Sequence, residues 1–444
     1  MPEKADQLKA MIQPSSMLMP AKLDSSEQGI SFVNVHKRYS ALSIHTMMWH
    51  ILMLFPITTL LQSVPGFSII NQALFGCYAF LFVLTLLRNR ISRSNLMLLM
   101  GVLTLSIWSF AVTGEAAYNA NLYFYLPFWV IFLSDSKERY YLVFQYFPRH
   151  KRYVLGVCLL WTMIVGLSIF DPSAYVYKWG EGRYFVSITG NSFRLAPTAL
   201  MILALILFYI QDKKRLSSLL LCVVPTYSLI MCGSRTYFGI GMLLVCLIWL
   251  YWLNSNVMFW ISIVPLGIIM IYIAMQSAFG DKVRATAYGA NPYMEDFWGS
   301  ITNGRSIFWF YDMEVFFKQP LVYQLLGKGY NFVYNINLEY YGASLWAHND
   351  FINILMNYGY AGMILYLYPI FSMIRMLKKT AKRWISKALF VLIWLINAMF
   401  NMNYTYFCAV IALPIICLGL DNRKAAFDHL GNRINAECLQ GVKK

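Results

Sequence analysis

Residues 257–275 read VMFWISIVPLGIIMIYIAM, nineteen positions without one charged side chain. As a helix this stretch is roughly 28 Å long, close to the ~30 Å hydrocarbon core of a bilayer. A helix that is apolar on every side has no face to offer water, so the stretch reads as a membrane span. Outward from it in both directions the pattern repeats. Apolar blocks run over Leu42–Leu61, Ile69–Leu87, Leu96–Thr113, Tyr118–Leu133, Tyr153–Phe170, Ser192–Ile210, Ser217–Cys232, Tyr237–Leu253, Val257–Met275, Phe351–Ile374, Ile385–Phe400 and Tyr404–Leu420. The expected fold is therefore an all-α integral membrane protein with about twelve transmembrane helices.

Composition agrees. The 444 residues are 59% hydrophobic and 13% charged, with mean hydropathy +0.53; roughly a quarter of an ordinary soluble domain is charged. The net charge of +16 does not point to nucleic acid, because the basic residues sit at the ends of apolar blocks rather than in one patch. Seven of the eight cysteines lie in or at apolar blocks and none forms a CxxC pair, so neither a disulfide framework nor a zinc site is implied.

Charge placement gives the orientation. With a cytoplasmic N-terminus, 27 of the 36 Lys and Arg residues fall on the inner side and nine on the outer side, whereas the acidic residues divide ten and ten. Only Lys and Arg drive orientation, so this asymmetry predicts both termini inside. The implied organisation is a polar cytoplasmic tail over 1–40, helices 1–9 over 41–275, one large extracytoplasmic loop over 276–347, helices 10–12 over 348–420, and a cytoplasmic tail over 421–444. The first 40 residues, polar and mixed, are read as a tail rather than a cleaved signal. A second outer segment, Asp171–Asn191, is too long to be a simple turn.

Three outer basic residues stand out. Arg235 lies in the Gly233-Ser234-Arg235-Thr236 turn, Arg305 in Asn303-Gly304-Arg305-Ser306, and His348 at the outer start of the tenth block. Each has a bland reading beside the functional one. Arg235 could be a snorkelling anchor, Arg305 could pair with Asp312 or Glu314, and His348 could be a cap. Ile307–Lys318 alternates aromatic and polar residues, as an amphipathic helix on the membrane surface would. Asn349, Asn353 and Asn357 recur at helical spacing, and Asn397, Asn401 and Asn403 come after them. Amides are costly against lipid, so they are expected either to bond between helices or to line an outward-opening polar cavity with His348 at its mouth. The cavity is the preferred expectation. Guanidinium groups suit phosphate through paired, permanently charged hydrogen bonds, and a neutral imidazole can take a hydroxyl proton. Together they point to transfer from a phosphate-linked donor to a hydroxyl acceptor. No DxD-like carboxylate pair lies on the outer side, and the adjacent Glu295-Asp296 would point in two directions if extended, so no metal or cofactor is required.

At these residues the chain resembles the O-antigen ligase and polysaccharide polymerase family of bacterial membranes. The resemblance rests on Gly233-Ser234-Arg235-Thr236; on Gly304-Arg305 followed by Trp309, Phe317, Pro320 and Leu326-Gly327-Lys328-Gly329; and on His348-Asn349, nine residues, then Gly359-Tyr360-Ala361-Gly362. It covers roughly Arg183 to Tyr366, and the first six blocks match in hydropathy alone. Where the family often has Gly and then Asn-Pro-Asn, this chain reads Gly190-Asn191-Ser192-Phe193-Arg194.

The resemblance implies a GT-C-like glycosyltransferase in the bacterial inner membrane. It would take a glycan from undecaprenyl diphosphate on the outer leaflet and pass it, with inversion, to an acceptor glycan hydroxyl. Arg235 and Arg305 would hold the diphosphate, His348 would orient or deprotonate the acceptor, and Asn349 would stand behind it. Arg183, Arg194 and Lys328 are further candidates for substrate binding. The favoured expectation is a polymerase for O-antigen, capsule or exopolysaccharide. The alternatives are a ligase that moves finished chains to a lipid A core or a protein, as in lipopolysaccharide assembly, and a flippase or transporter without catalysis. The resemblance also allows a chain-length regulator as a partner.

Overall fold

The computed structural model describes residues 44–88, 93–114, 146–178, 182–210, 216–253, 256–277, 304–342, 345–380 and 384–420, with positions 280, 281, 283, 284, 299 and 302. The chain divides into two units, Met1–Ile44 and His45–Lys444, and the helical bundle belongs to the second.

The described chain is almost wholly helical. Among the described residues, eight helices are long and apolar enough to cross a membrane: α1 (Ile44–Ser63), α2 (Phe67–Arg88), α3 (Arg93–Thr113), α4 (Lys151–Ser168), α5 (Ser192–Ile210), α7 (Arg235–Leu253), α8 (Asn256–Met275) and α12 (Asp350–Thr380). Three shorter apolar helices, α6 (Leu216–Met231), α13 (Trp384–Phe400) and α14 (Phe407–Leu420), accompany them. Among the described residues between α8 and α12 are the polar-edged helices α9 (Arg305–Lys318), α10 (Leu321–Leu326) and α11 (Phe332–Tyr341). The fourth apolar block, Tyr118–Leu133, and the tails 1–40 and 421–444 lie outside the described residues.

Two helices form the centre. In α5, 89% of the span is buried, and every residue of α14 after Phe407 is buried; the two pack along each other, with Gly419 of α14 close against Leu207. Within this core a buried Trp161 indole N–H from α4 donates to the Thr198 hydroxyl at 3.1 Å, satisfying a donor that neither lipid nor an apolar core could take. The periphery is the opposite. Only 11% of α2 and 6% of α8 is buried, and both expose large side chains such as Phe80, Trp260, Ile268 and Ile271. Apolar surface on that scale is stable against hydrocarbon rather than water.

The segment between α4 and α5 contains the only strands among the described residues, an antiparallel hairpin of β1 (Tyr175–Lys178) and β2 (Gly182–Phe185) in the register Tyr175↔Phe185 and Tyr177↔Arg183. The hairpin presses Tyr184 against Gly233, whose φ of 70° and lack of a Cβ both matter: a Cβ there would stand 2.2 Å from the Tyr184 ring.

The decisive irregularity is in α12. Gly359 has φ 64° and ψ −166°, so the helix is broken between Tyr358 and Tyr360. A break frees carbonyls that must find donors. The loop between α10 and α11 supplies them: Gly329 N–H donates to Asn357 O at 2.8 Å, and Lys328 N–H to Met356 O at 3.4 Å. The Trp108 indole of α3 closes the other side, donating to Gly327 O at 2.8 Å. The backbones meet so closely that only glycine fits. A Cβ on Gly359 would fall 2.5 Å from Leu325 backbone carbon, and one on Gly327 2.2 Å from Asn357 O.

Gly359→Ala therefore combines a strained left-handed conformation with a backbone clash. We expect it to destabilise the protein by at least ~2 kcal/mol. Thermal unfolding in detergent checks this, and an unchanged midpoint would show that the break is not held as described.

Candidate functional site

The short connection after α13 (Asn401–Tyr406) meets the N-termini of α7, α9 and α12 at one end of the bundle. The centre of this meeting is the Phe400 carbonyl at the C-terminus of α13. It accepts from Arg305 Nη1 at 3.2 Å and from Thr236 Oγ1 at 3.1 Å. A helix end leaves its last carbonyls without partners, and here two other helices answer them. Gly304, with φ 79°, is the N-cap of α9 and turns the chain so that Arg305 opens the helix.

Arg235 and Arg305 are consequently brought together. Both are half-buried. Burial first, and then the neighbouring Arg235 charge, lower Arg305 to about 10, while Tyr406 acts in the opposite direction. At that value Arg305 remains a cation at neutral pH. Among the described residues no carboxylate pairs with it. Neither of the pairings expected from sequence forms: Glu314 pairs with Lys318 one turn along α9, and Asp312 is buried two turns along the helix from Arg305. Two guanidinium groups held in a partly desolvated place favour an anion between or beside them.

His348 sits at the start of α12 with φ 50°, a left-handed conformation uncommon for a residue with a side chain. The backbone on both sides of it is held. Trp309 Nε1 donates to Ala347 O at 2.6 Å, Ala347 N–H donates to Asn353 Oδ1 at 3.3 Å, and Asn337 Nδ2 donates to Leu345 O at 3.0 Å. Asn349 caps α12 by accepting from the N–H groups of Phe351 and Ile352 at 3.0 and 3.2 Å. Trp309 and Arg305 are one turn apart on α9, so the same helix carries the guanidinium and steadies the histidine turn.

The asparagine ladder has a different destination from the preferred cavity lining. Asn349, Asn353 and Asn357 are all buried, and each Oδ1 accepts a backbone N–H; for Asn357 the donor is Val333 N–H at 3.2 Å. The amides fasten α11 and the turn before His348 onto the first half of α12. Nor does Ile307–Lys318 simply lie on a surface: Asp312 is buried and Phe316 packs with Val333, Ile352 and Met356, while Phe310 and Phe317 point outward.

Among the remaining expected residues, Arg183 stacks its guanidinium 4.3 Å from the Tyr175 ring centroid and donates to Pro172 O at 3.3 Å. Lys328 holds its ammonium 5.1 and 5.0 Å from the Tyr323 and Phe332 rings. These two cations rest on aromatic faces beside the hairpin and the α12 break respectively. Arg194 is exposed and lines a cavity of about 300 Å³ that also touches Tyr406, so it approaches the Arg305 side of the site.

One residue had no role assigned from sequence. Asp350, two positions after His348, is completely buried. It accepts from Tyr366 Oη at 2.7 Å, from Tyr404 N–H at 3.5 Å and from the backbone of Asn403. Tyr366 in turn accepts from Trp394 Nε1 at 3.2 Å. Asp350 thus ties α12, α13 and the Asn403–Tyr406 segment together behind the guanidinium pair. A signal existed: an acidic residue leading directly into an apolar block is expensive unless it has a task.

No protein-family model and no curated protein matches the chain.

Asp312 offers a test of the scaffold under the site. Burial raises its carboxyl to about 7, with the Asn337 amide opposing weakly. The unfolded value is about 4, so the folded protein binds the proton more tightly. The stability contributed by this group should be fully present below about pH 4 and decline as pH rises to about 7, with no further loss from it above that. Asp312→Asn should flatten that part of the profile in thermal unfolding at several pH values; a slope identical to that of the parent protein would refute the assignment.

Proposed function

We propose that the protein is a membrane glycosyltransferase that takes a glycan from undecaprenyl diphosphate at the extracytoplasmic end of the bundle and transfers it to a hydroxyl of an acceptor glycan. The reading is that of a polysaccharide polymerase in a bacterial inner membrane; a ligase would use the same chemistry with a different acceptor. The observation that carries it is the pairing of Arg235 and Arg305, half-buried beside one helix-terminal carbonyl, with His348 held on the same α9 frame.

In this reading the two guanidinium groups bind the diphosphate. The acceptor oxygen attacks the anomeric carbon and a new C–O bond forms. The bond from that carbon to the phosphate oxygen breaks, and its electron pair leaves with the lipid diphosphate. Arg235 and Arg305 stabilise the charge that develops on that oxygen. His348 accepts the proton of the attacking hydroxyl. Attack from the face opposite the leaving group inverts the anomeric centre. The approximately twelve spans, the cytoplasmic termini and the GT-C-like architecture belong to the same proposal, supported by the charge asymmetry and by the apolar helices.

The mutant panel is short. Arg305→Lys keeps a charge but loses the bidentate fork, and should lower product formation by about 10²–10³-fold. His348→Ala should eliminate product while the amount of protein in the membrane stays normal. Arg375→Ala, exposed near the far end of α12, should change neither. Glycan resolved by size on a gel reads all three. Wild-type product from the His348 variant would end the catalytic assignment.

A further inference from the structure

The cavity beside the guanidinium pair has a composition of its own. It lies between the ends of α1 and α2, the start of α5 and the segment entering α14. Its floor is aromatic: the rings of Phe55, Phe75 and Phe407 stand 4.5 to 4.8 Å apart, centroid to centroid. Its walls are polar, with the amides of Gln62 and Asn71, the Thr405 hydroxyl, the Tyr406 phenol and the Arg194 guanidinium. Asn71 is oriented by the Thr58 hydroxyl, which donates to its Oδ1 at 3.0 Å. Tyr406 is the link to the neighbouring site, because it lines the cavity and interacts electrostatically with Arg305.

This is not the lining a dianion selects. Multiple cations are available one residue away, at Arg235 and Arg305, whereas the cavity holds a single guanidinium among neutral donors and acceptors. Amides and hydroxyls above phenyl rings match a molecule with a polar edge and an apolar face. A pyranose ring has that form: its hydroxyls radiate at the edge and its C–H groups cover a face. At about 300 Å³ the cavity is at the small end for ligand sites, with room for a sugar ring or two and not for a chain.

We propose that this cavity is a sugar-binding subsite that seats a pyranose ring of the transferred or the receiving glycan beside the diphosphate. The identification of the neighbouring anion as a diphosphate rests on the function proposed above; the sugar chemistry of the cavity rests on its lining.

The test uses the full chain in lipid nanodiscs with Gln62→Cys as a reporter. The rate of its modification by a small charged methanethiosulfonate is measured, with the parent protein as background because Cys408 also lines the cavity. The probes are glucose, galactose, N-acetylglucosamine, glucuronate and the sugars released by hydrolysis of the host's surface polysaccharide. We expect at least one of them to slow labelling several-fold, and Asn71→Ala, or Asn71→Ser if the alanine variant does not accumulate, to remove that protection. Pyrophosphate alone should not protect. The proposal is overturned if no sugar protects, or if only pyrophosphate or undecaprenyl phosphate does.

A kinetic arm then separates the two sources. With lipid-linked glycan as donor, a rise in KM for the acceptor in the Asn71 variant assigns the ring to the acceptor, and a rise in KM for the donor assigns it to the donor. No rise in either overturns the subsite. Labelling needs no turnover, so failure of the glycosyltransferase reading, seen as normal product from His348→Ala, is distinguishable from failure of the cavity assignment.

Discussion

A broken helix in an apolar environment must have its freed carbonyls answered, and the rest of the architecture depends on how this protein answers them. The N–H groups of Lys328 and Gly329 cover the carbonyls of Met356 and Asn357, and Gly359 leaves room for Leu325. That contact fixes the loop between α10 and α11 to the middle of α12. With the loop fixed, α9 and α11 are laid over the first half of α12, where the asparagine ladder and the Phe316–Val333–Met356 cluster hold them. Arg305 is then delivered to the end of α13, where a second unanswered carbonyl, that of Phe400, receives it together with Thr236. Two backbone accounting problems, one at a helix break and one at a helix end, thus position the charged groups.

Much of the fold was legible in the sequence because lipid imposes a length and a composition on whatever crosses it. What hydropathy could not supply was which spans lie at the centre. The spans of α5 and α8 have mean hydropathies of 2.1 and 2.4, yet one is 89% buried in protein and the other 6%. Lipid tails and protein interiors are equally apolar, so no hydrophobic gradient sorts one from the other. The break in α12 was also hidden. The glycines at 327, 329 and 359 were visible as a motif, but their need for positive φ and for a close backbone approach is a property of two segments together.

At the site, charge type was readable and destination was not. The helical spacing of Asn349, Asn353 and Asn357 correctly places them on one face, but each amide oxygen accepts a backbone N–H instead of facing a cavity. Local periodicity says which residues share a face; it does not say what that face meets. The cavity by Arg194 is assembled from four separate stretches of chain, at residues 55–62, 71–75, 193–197 and 405–408, none of which resembles a motif by itself. Asp350 was overlooked beside the more conspicuous His348, although a carboxylate buried among Tyr366, Tyr404 and Asn403 is what joins the last helices to the site.

The conformation of His348 unites these observations. A left-handed backbone at a residue with a side chain costs roughly 1–3 kcal/mol and persists only when its surroundings over-determine it. Here they do so from three directions: Trp309 of α9 on the Ala347 carbonyl, Asn353 of α12 on the Ala347 N–H, and Asn349 capping the start of α12. The backbone of His348 is therefore held relative to α9, and α9 begins with Arg305. Any movement that separated α9 from the Phe400 carbonyl would also pull Trp309 from Ala347. In the proposed reaction, binding the leaving group and receiving the acceptor proton are for this reason one mechanical state of a single helix rather than two independent adjustments.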